Sequence, residues 1–379
     1  MIPYFDCNAT TPVEPDVATV VLRFLKEDFG NAGSRTHEFG QRANRAVAQA
    51  RRAVAAVVDC DPSEVLFTSG ATESNNLAIL GLAEALRSQG RQHIVSTEVE
   101  HKAVLEPLER MADIGFEVTL LPPEPDGRIS AGAIADALRP DTGLVSVMHV
   151  NNETGVINDV AAVAAVLIDH EALFHVDAAQ GFGKADGLDC RRIDLMSVSG
   201  HKVFGPKGVG ALVARRRECG RPPLRALMVG GGQERGLRPG TLPVHLIAGL
   251  GEAAKLAMSD RERRERRCRE IRDALLRCFD GIPYTIHGDP EYSLISTLNI
   301  SLHGVDAEAA IVCLKHVVAV SNGAACTSSS YTTSHVLRAM GVPDSRARES
   351  LRWSWCHMTP RPPVEGILNA LQPLVSSSR

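Results

Sequence analysis

No two of the nine cysteines form a C-x-x-C pair, so the thiols read as separate, reduced groups and no metal is expected at the site. A long basic run is missing too. The 379 residues carry a net charge of −4, which leaves no stripe able to track nucleic-acid phosphates and makes direct nucleic-acid binding unexpected. The densest basic segment, "RERRERRCRE" from Arg261, interleaves Glu262, Glu265 and Glu270 and reads as a solvated helix face laced with ion pairs. The most apolar run, Val160 to Ile168, is far short of the ~20 residues a membrane span needs. Nothing at the start resembles a secretion signal, so a cytoplasmic protein with no membrane contact is expected. Lysine is also scarce, with seven in the chain.

What is present is a hydrophobic content of 44%, enough for a sizeable core and for two domains of ordinary size. From about residue 63 to 215, short β-branched runs alternate with amphipathic segments such as 72–89 and 159–169. The runs are "EVLFT" (64–68), "HIVSTE" (93–98), "FEVTLL" (116–121), "GLVSVMHV" (143–150), "ALFHVD" (172–177), "IDLMSVS" (193–199) and "GVGALVA" (208–214). Such alternation predicts an α/β fold, a mostly parallel sheet covered by helices, with ligands bound along the edge where the strands end. After Leu242 a helical segment runs to about Phe279, followed by fewer strands, at 284–287, 296–302, 317–321 and 350–355. The expected division is a large domain over residues 13–250 and a smaller α+β domain over 251–379, with residues 1–12 packed on the small one.

Four stretches carry chemistry. "SNGAACTSSS" (321–330) sets Cys326 in a soft, polar loop with no large apolar side chain to pack it away, unusual for a cysteine that only fills space. "SVSGHKVFGPKGVG" (197–210) places Lys202 after a strand. Taken alone it is an ordinary loop lysine, but a desolvated amine there could form a Schiff base. "TSGATESNN" (68–76) is a strand, a turn at Gly70 and a helix start, whose free N–H groups suit a phosphate. It lacks the G-K-[ST] ending of a triphosphate loop, which favours a monophosphate. "HVDAAQ" (175–180) ends a strand on Asp177, a carboxylate able to pair with a protonated heterocyclic nitrogen. Together these are the parts a pyridoxal phosphate enzyme supplies.

With "NATTP" (8–12), "FGNAGSRTH" (29–37), "EVEHKAVL" (98–105), "MHVNNETG" (148–155) and "GGGQERGLRPGT" (230–241), these stretches span nearly the whole chain. In this the sequence resembles the class V aminotransferase family, and more narrowly the cysteine desulfurases of the NifS and IscS type. The overall likeness leans toward the type that serves DNA phosphorothioation. The resemblance implies fold type I of the pyridoxal-phosphate-dependent transferases and a cytoplasmic homodimer. It implies pyridoxal 5'-phosphate bound through Lys202, with His101 stacked on its ring and moving protons, and Asp177 on the ring nitrogen. Asn152 and Gln180 would bond the ring hydroxyl. Ala71, Thr72, Ser199 and His201 would hold the phosphate, with Thr241 contributed by the second subunit. Arg352, helped by Asn152, would bind the carboxylate of L-cysteine, and Cys326 would take its sulfur as a persulfide for a sulfur-acceptor protein, leaving alanine.

Acceptors in iron–sulfur cluster assembly, tRNA thiolation or DNA phosphorothioation all fit. A selenocysteine lyase or an aminotransferase of the same fold is the alternative, and Cys326 argues against it. No histidine or lysine adjoins Cys326 in sequence, His335 being nine residues on, so a base such as His101 from the other domain is expected to activate it. "RWSWC" departs from the commoner family pattern, in which small residues follow the serine, and Trp353, Trp355 and Cys356 are expected to narrow the substrate pocket.

Overall fold

A computed structural model describes residues 2–217, 220–323 and 333–376. Among these, ten strands form two sheets. The larger holds β1 (Val65–Thr68), β2 (His93–Thr97), β3 (Glu117–Leu121), β4 (Thr142–Met148), β5 (Leu173–Asp177), β6 (Leu195–Ser199) and β7 (Gly210–Ala214) in the order β1-β7-β6-β5-β4-β2-β3. Pairings from β6 through β5, β4 and β2 to β3 are parallel, and β7 runs antiparallel to both its neighbours. Every residue of β1, β2, β4, β6 and β7 is buried, as expected of strands covered by helices on both faces. Parallel direction brings the C-terminal ends of β2, β4, β5 and β6 to one edge, where the loops carrying the chemistry emerge.

The smaller sheet is antiparallel, in the order β10-β9-β8, from β8 (Tyr284–His287), β9 (Thr297–Leu302) and β10 (Ser350–Ser354). It closes over its own core of Phe5, Ile271, Phe279, Ile300, Trp353 and Leu371 among others. Phe5 belongs to that core, while Thr11 is anchored on the large-sheet side by the carbonyl of His201 (2.9 Å). The opening residues therefore run from one core to the other.

The helical segment expected up to Phe279 is two helices, Val244–Ser259 and Arg261–Leu276, separated at Asp260. Apolar contacts change at this break: Ala257 packs with the large core, Cys268 with the small one. We propose that the two units divide here, beyond residue 250. The segment 72–89 is likewise broken at Gly81–Leu82. Residues 317–321, expected as a strand, make only the bridges Tyr4–Ala319 and Ser321–Arg352. In the charged run, Arg269–Glu265 and Arg267–Glu270 are the expected exposed pairs. Arg264 instead turns inward to Glu14 at 2.7 Å and over the Phe204 ring.

Gly210 sits between two strand ends, opposite Thr68 of β1 and Ser199 of β6. A Cβ there would lie 2.3 Å from the Val198 carbonyl oxygen and 2.6 Å from Gly70 Cα, both backbone atoms that cannot swing aside. Gly210→Ala should therefore cost about 2 kcal/mol, as overpacking does, and lower the thermal midpoint by several degrees. An unchanged midpoint in calorimetry would mean that the Gly70 turn does not depend on this close approach.

Candidate active site

A cavity of about 470 Å³ lies at the carboxyl edge of the large sheet. It gathers Ala71, Thr72, His101, Asn152, Asp177, Gln180, Ser199, His201, Lys202 and Arg352, residues scattered over 282 positions from Ala71 to Arg352. Thr241 is exposed and does not line it.

Most of these side chains are placed by a strand end, and Arg352 by the middle of β10. Asp177 is the last residue of β5. Its two oxygens are held by the Ala179 N–H (2.9 Å) and by Asn75 Nδ2 (2.7 Å), which aims a nearly buried carboxylate into the cavity. Asn75 lies one helical turn beyond Ala71, on the same face. Lys202 closes a short turn after β6, and its Nζ donates to the carbonyl oxygens of Asn8 and, at 2.8 Å, of Ala9. Gln180 Nε2 donates to the same Asn8 oxygen (2.9 Å) and its Oε1 accepts from Lys184 (3.1 Å). The helix Ala71–Leu80 starts at the cavity wall, so its first-turn N–H groups form an anion site next to Ser199, His201 and Lys207.

His101 caps the helix Lys102–Asp113 through Nδ1, which accepts from the Ala103 N–H at 3.0 Å. A neutral ring must then carry its hydrogen on Nε2. Burial pushes its pKa down, Asp177 opposing and Lys202 reinforcing the shift. His201 is pushed down to about 4 by burial and by the nearby lysines 202, 207 and 184. Both rings are therefore neutral at neutral pH, and the cationic groups of the lining are Lys202, Lys207 and Arg352.

Arg352 is 2% exposed. Its guanidinium donates to Asp6 (2.6 Å) and to the Asn152 carbonyl (3.1 Å), while Nε has no partner among the described residues. Trp353, Trp355 and Cys356 do not narrow this cavity, contrary to expectation. Side chains alternate along β10, so Arg352 faces the site while Trp353 is buried against Phe5 and Phe279. Trp355 packs in the same small core, its Nε1 donating to the Cys268 carbonyl.

Cys326 lies outside the described residues. Residues on either side of that segment sit beside the cavity. Ser334 donates to Glu153 (2.5 Å) and His335 Nε2 to the Glu100 carbonyl (2.9 Å), while Arg352 N donates to the Ser321 carbonyl at 2.7 Å.

Sequence reasoning missed Asn8, Asn75 and Lys207, all in the lining. Each stands inside a motif already singled out, and the i, i+4 spacing of Ala71 and Asn75 was the signal available for one of them.

The class V aminotransferase family model matches residues 3–362, and the chain belongs to that family. A cysteine desulfurase IscS of Methylococcus capsulatus is 46% identical over 378 residues, covering 99% of this chain and 93% of the relative. Among solved structures, DndA from Streptomyces lividans is 51% identical with a TM-score of 0.82, covering 93% of this chain and 99% of DndA. SspA in complex with cysteine is 36% identical with a TM-score of 0.82, over 95% and 99% of the two chains. Within its family, the chain thus stands with the cysteine desulfurases of the NifS and IscS type.

The Glu100 carboxyl next to His101 is fully buried. Oε1 accepts from the Met148 N–H and the Thr97 hydroxyl, and Oε2 has no partner among the described residues. Burial raises its pKa from 4.5 to about 8, so the folded state keeps a proton that the unfolded state releases. The associated stability is complete below about pH 4.5 and is lost as the pH rises through about 8. Glu100→Gln, which mimics the neutral acid, should gain thermal midpoint relative to the parent progressively between those limits. A difference that stays flat with pH would show that Glu100 is ionised in the folded protein.

Proposed function

We propose that the chain is a cytoplasmic, homodimeric cysteine desulfurase. It converts L-cysteine to L-alanine, places the sulfur on Cys326 as a persulfide, and hands it to an acceptor protein. The observation that carries the reading is the convergence on one cavity of a strand-end amine, an oriented carboxylate, a helix-start anion site and a buried arginine. The donor set fits pyridoxal 5'-phosphate. An anion site suited to a phosphate, a carboxylate suited to a pyridinium and a lysine amine suited to an aldehyde line the same space.

That cofactor, when bound, supplies an electron sink that acidifies the substrate Cα–H and opens its sulfur to a nucleophile. Asp177, locked by Asn75 and Ala179, would keep a ring nitrogen protonated without turning away. Ala71, Thr72, Ser199 and His201 would hold the phosphate, joined by Thr241 of the second subunit. A neutral His201 serves there as a hydrogen-bond donor and adds no charge. Lys202 would bind the cofactor and, once displaced by the substrate amine, take the proton from the substrate Cα through Nζ. Its resting partners, the carbonyls of Asn8 and Ala9, give the freed amine a place to wait.

His101 would stack on the ring and present Nε2–H to the substrate side, making it a donor first. To act as a base it would have to give up its helix cap at Nδ1 or lose the Nε2 hydrogen. Asn152 and Gln180 would bond the ring hydroxyl, Gln180 being steadied by Lys184 and the Asn8 carbonyl. Arg352, held in place by Asp6, would turn its guanidinium to the substrate carboxylate, where two parallel bonds are available. The Cys326 thiolate would then form an S–S bond as the substrate C–S bond breaks, and a proton returned to carbon would complete alanine. With a net charge of −4 and no basic stripe, sulfur bound for nucleic acid would travel through a protein.

Purified enzyme should be yellow, and borohydride should fix pyridoxal on the peptide containing Lys202. Label on another lysine would overturn the assignment. Cys326→Ser should keep the bound cofactor and its spectral response to L-cysteine while alanine and persulfide formation fall by ~10³-fold, the scale expected on losing a nucleophile. Undiminished alanine formation would move the nucleophile to another cysteine.

A further inference from the structure

Asn8 borders two cavities, the active site and a second space of about 60 Å³ lined by Lys184 together with Cys7, Cys268 and Cys356. Lys184 lines the second and not the first, Gln180 the first and not the second, and Lys184 Nζ donates to Gln180 Oε1 at 3.1 Å. The chain after β5 winds the two together. Phe182 N–H donates to the Ala178 carbonyl and Ala185 N–H to that of Gly181, helical turns that bring a residue back over the one four places earlier. Gly183 allows the coil its close approach, since at φ +68° a Cβ there would lie 2.7 Å from that of Ala257. Desolvation draws the Lys184 pKa down to about 8, Lys202 adding to the shift, so a charge held there costs free energy. Among the described residues the amine has no carboxylate partner, and its one hydrogen bond is to Gln180.

Resting on the desulfurase reading above, we propose that Lys184 is a positioning residue that fixes the Gln180 carboxamide as a hydrogen-bond donor to the cofactor's ring oxygen. The two partners of the amide leave it one orientation. An ammonium group can only donate, so the atom facing Lys184 must be Oε1. A backbone carbonyl can only accept, so the atom facing Asn8 must be Nε2. The second hydrogen on Nε2 is then what Gln180 has to offer the cavity it lines. A charged donor on Oε1 also polarises the amide and strengthens that N–H.

A donor aimed at the ring oxygen favours its ionised form over the hydroxyl. An oxygen whose charge is already satisfied attracts the proton on Lys202 Nζ less strongly, so Nζ, once joined to the cofactor, gives that proton to solvent at a lower pH. Without Lys184, Gln180 Oε1 becomes a buried acceptor lacking its partner. Lys202, bound to the same Asn8 oxygen as Gln180, is then a donor to which Oε1 can turn, and the amide would present its acceptor where the ring oxygen needs a donor.

Holoenzyme without cysteine is titrated with pH while its yellow absorbance is followed, the midpoint reporting the proton on Lys202 Nζ. Lys184→Met should raise that midpoint by about one unit, the scale of one hydrogen bond to a charged group, and Lys184→Arg should stay close to the parent. Gln180→Leu should raise it by itself, and in that background less than about half of the Lys184→Met shift should remain. Should Lys184→Met fail to fold, Lys184→Gln, which keeps a donor without the charge, should give a smaller rise that again shrinks in Gln180→Leu. An unmoved midpoint would overturn the proposal, and so would a shift that persists undiminished in Gln180→Leu, the mark of a charge acting directly through space. A parent enzyme that binds no pyridoxal phosphate would sink the desulfurase reading as well, whereas an unmoved midpoint in yellow Lys184→Met enzyme leaves that reading standing.

Discussion

The carbonyl oxygen of Asn8 accepts from Lys202 and from Gln180, while its side chain donates to the Asn152 carbonyl and to the Thr297 hydroxyl, each at 3.1 Å. One residue in a turn thereby ties the loops after β4, β5 and β6 to a strand of the other sheet. The neighbouring Phe5 is fully buried in the small core, so the segment cannot slide without exposing a phenyl ring, a loss of about 2 kcal/mol or more. The cavity lies where two independently packed cores are joined by this strap, and the position of the Lys202 amine follows from it.

Charge in the cavity is arranged by the same burial. Histidines 101 and 201 are stripped of charge by desolvation, and Glu100 keeps its proton. What remains is a small set of cations, with Asp177 and the Asp6 partner of Arg352 as the acids facing them. Such a site holds one more cation than acid and so suits an anionic ligand. Beneath it, Ser146, His175 and Ser197 form a buried hydrogen-bond ladder across β4, β5 and β6 at 2.8 and 3.0 Å. Burial drives His175 down to about 4, so the ladder is a neutral brace for the strand that ends in Asp177.

Where the sequence misled, local pattern had no means of registering a distant partner. Helical periodicity continues through Asp260, yet the helices on either side serve different cores. Arg264 reads as one more charge in a solvated run, but Glu14, 250 positions away, draws it inside. Residues 317–321 are apolar enough for a strand and lack a ladder to join. The tryptophans after Arg352 look like pocket walls in a linear reading, and the alternation of β10 turns Trp353 into the small core.

The sequence by itself determined the order and type of nearly all the strands, the edge on which ligands bind, and the motifs holding Lys202, Asp177 and Arg352. These depend on neighbours in the chain: apolar alternation, turn residues, and polar side chains placed where a buried strand must end. Tertiary structure alone decided that Asn8 links the two halves, that Asn75 orients Asp177 and that Asp6 restrains Arg352. These contacts join residues between 102 and 346 positions apart, and hydrogen-bond geometry at that range is set by tertiary packing, which no local spacing encodes.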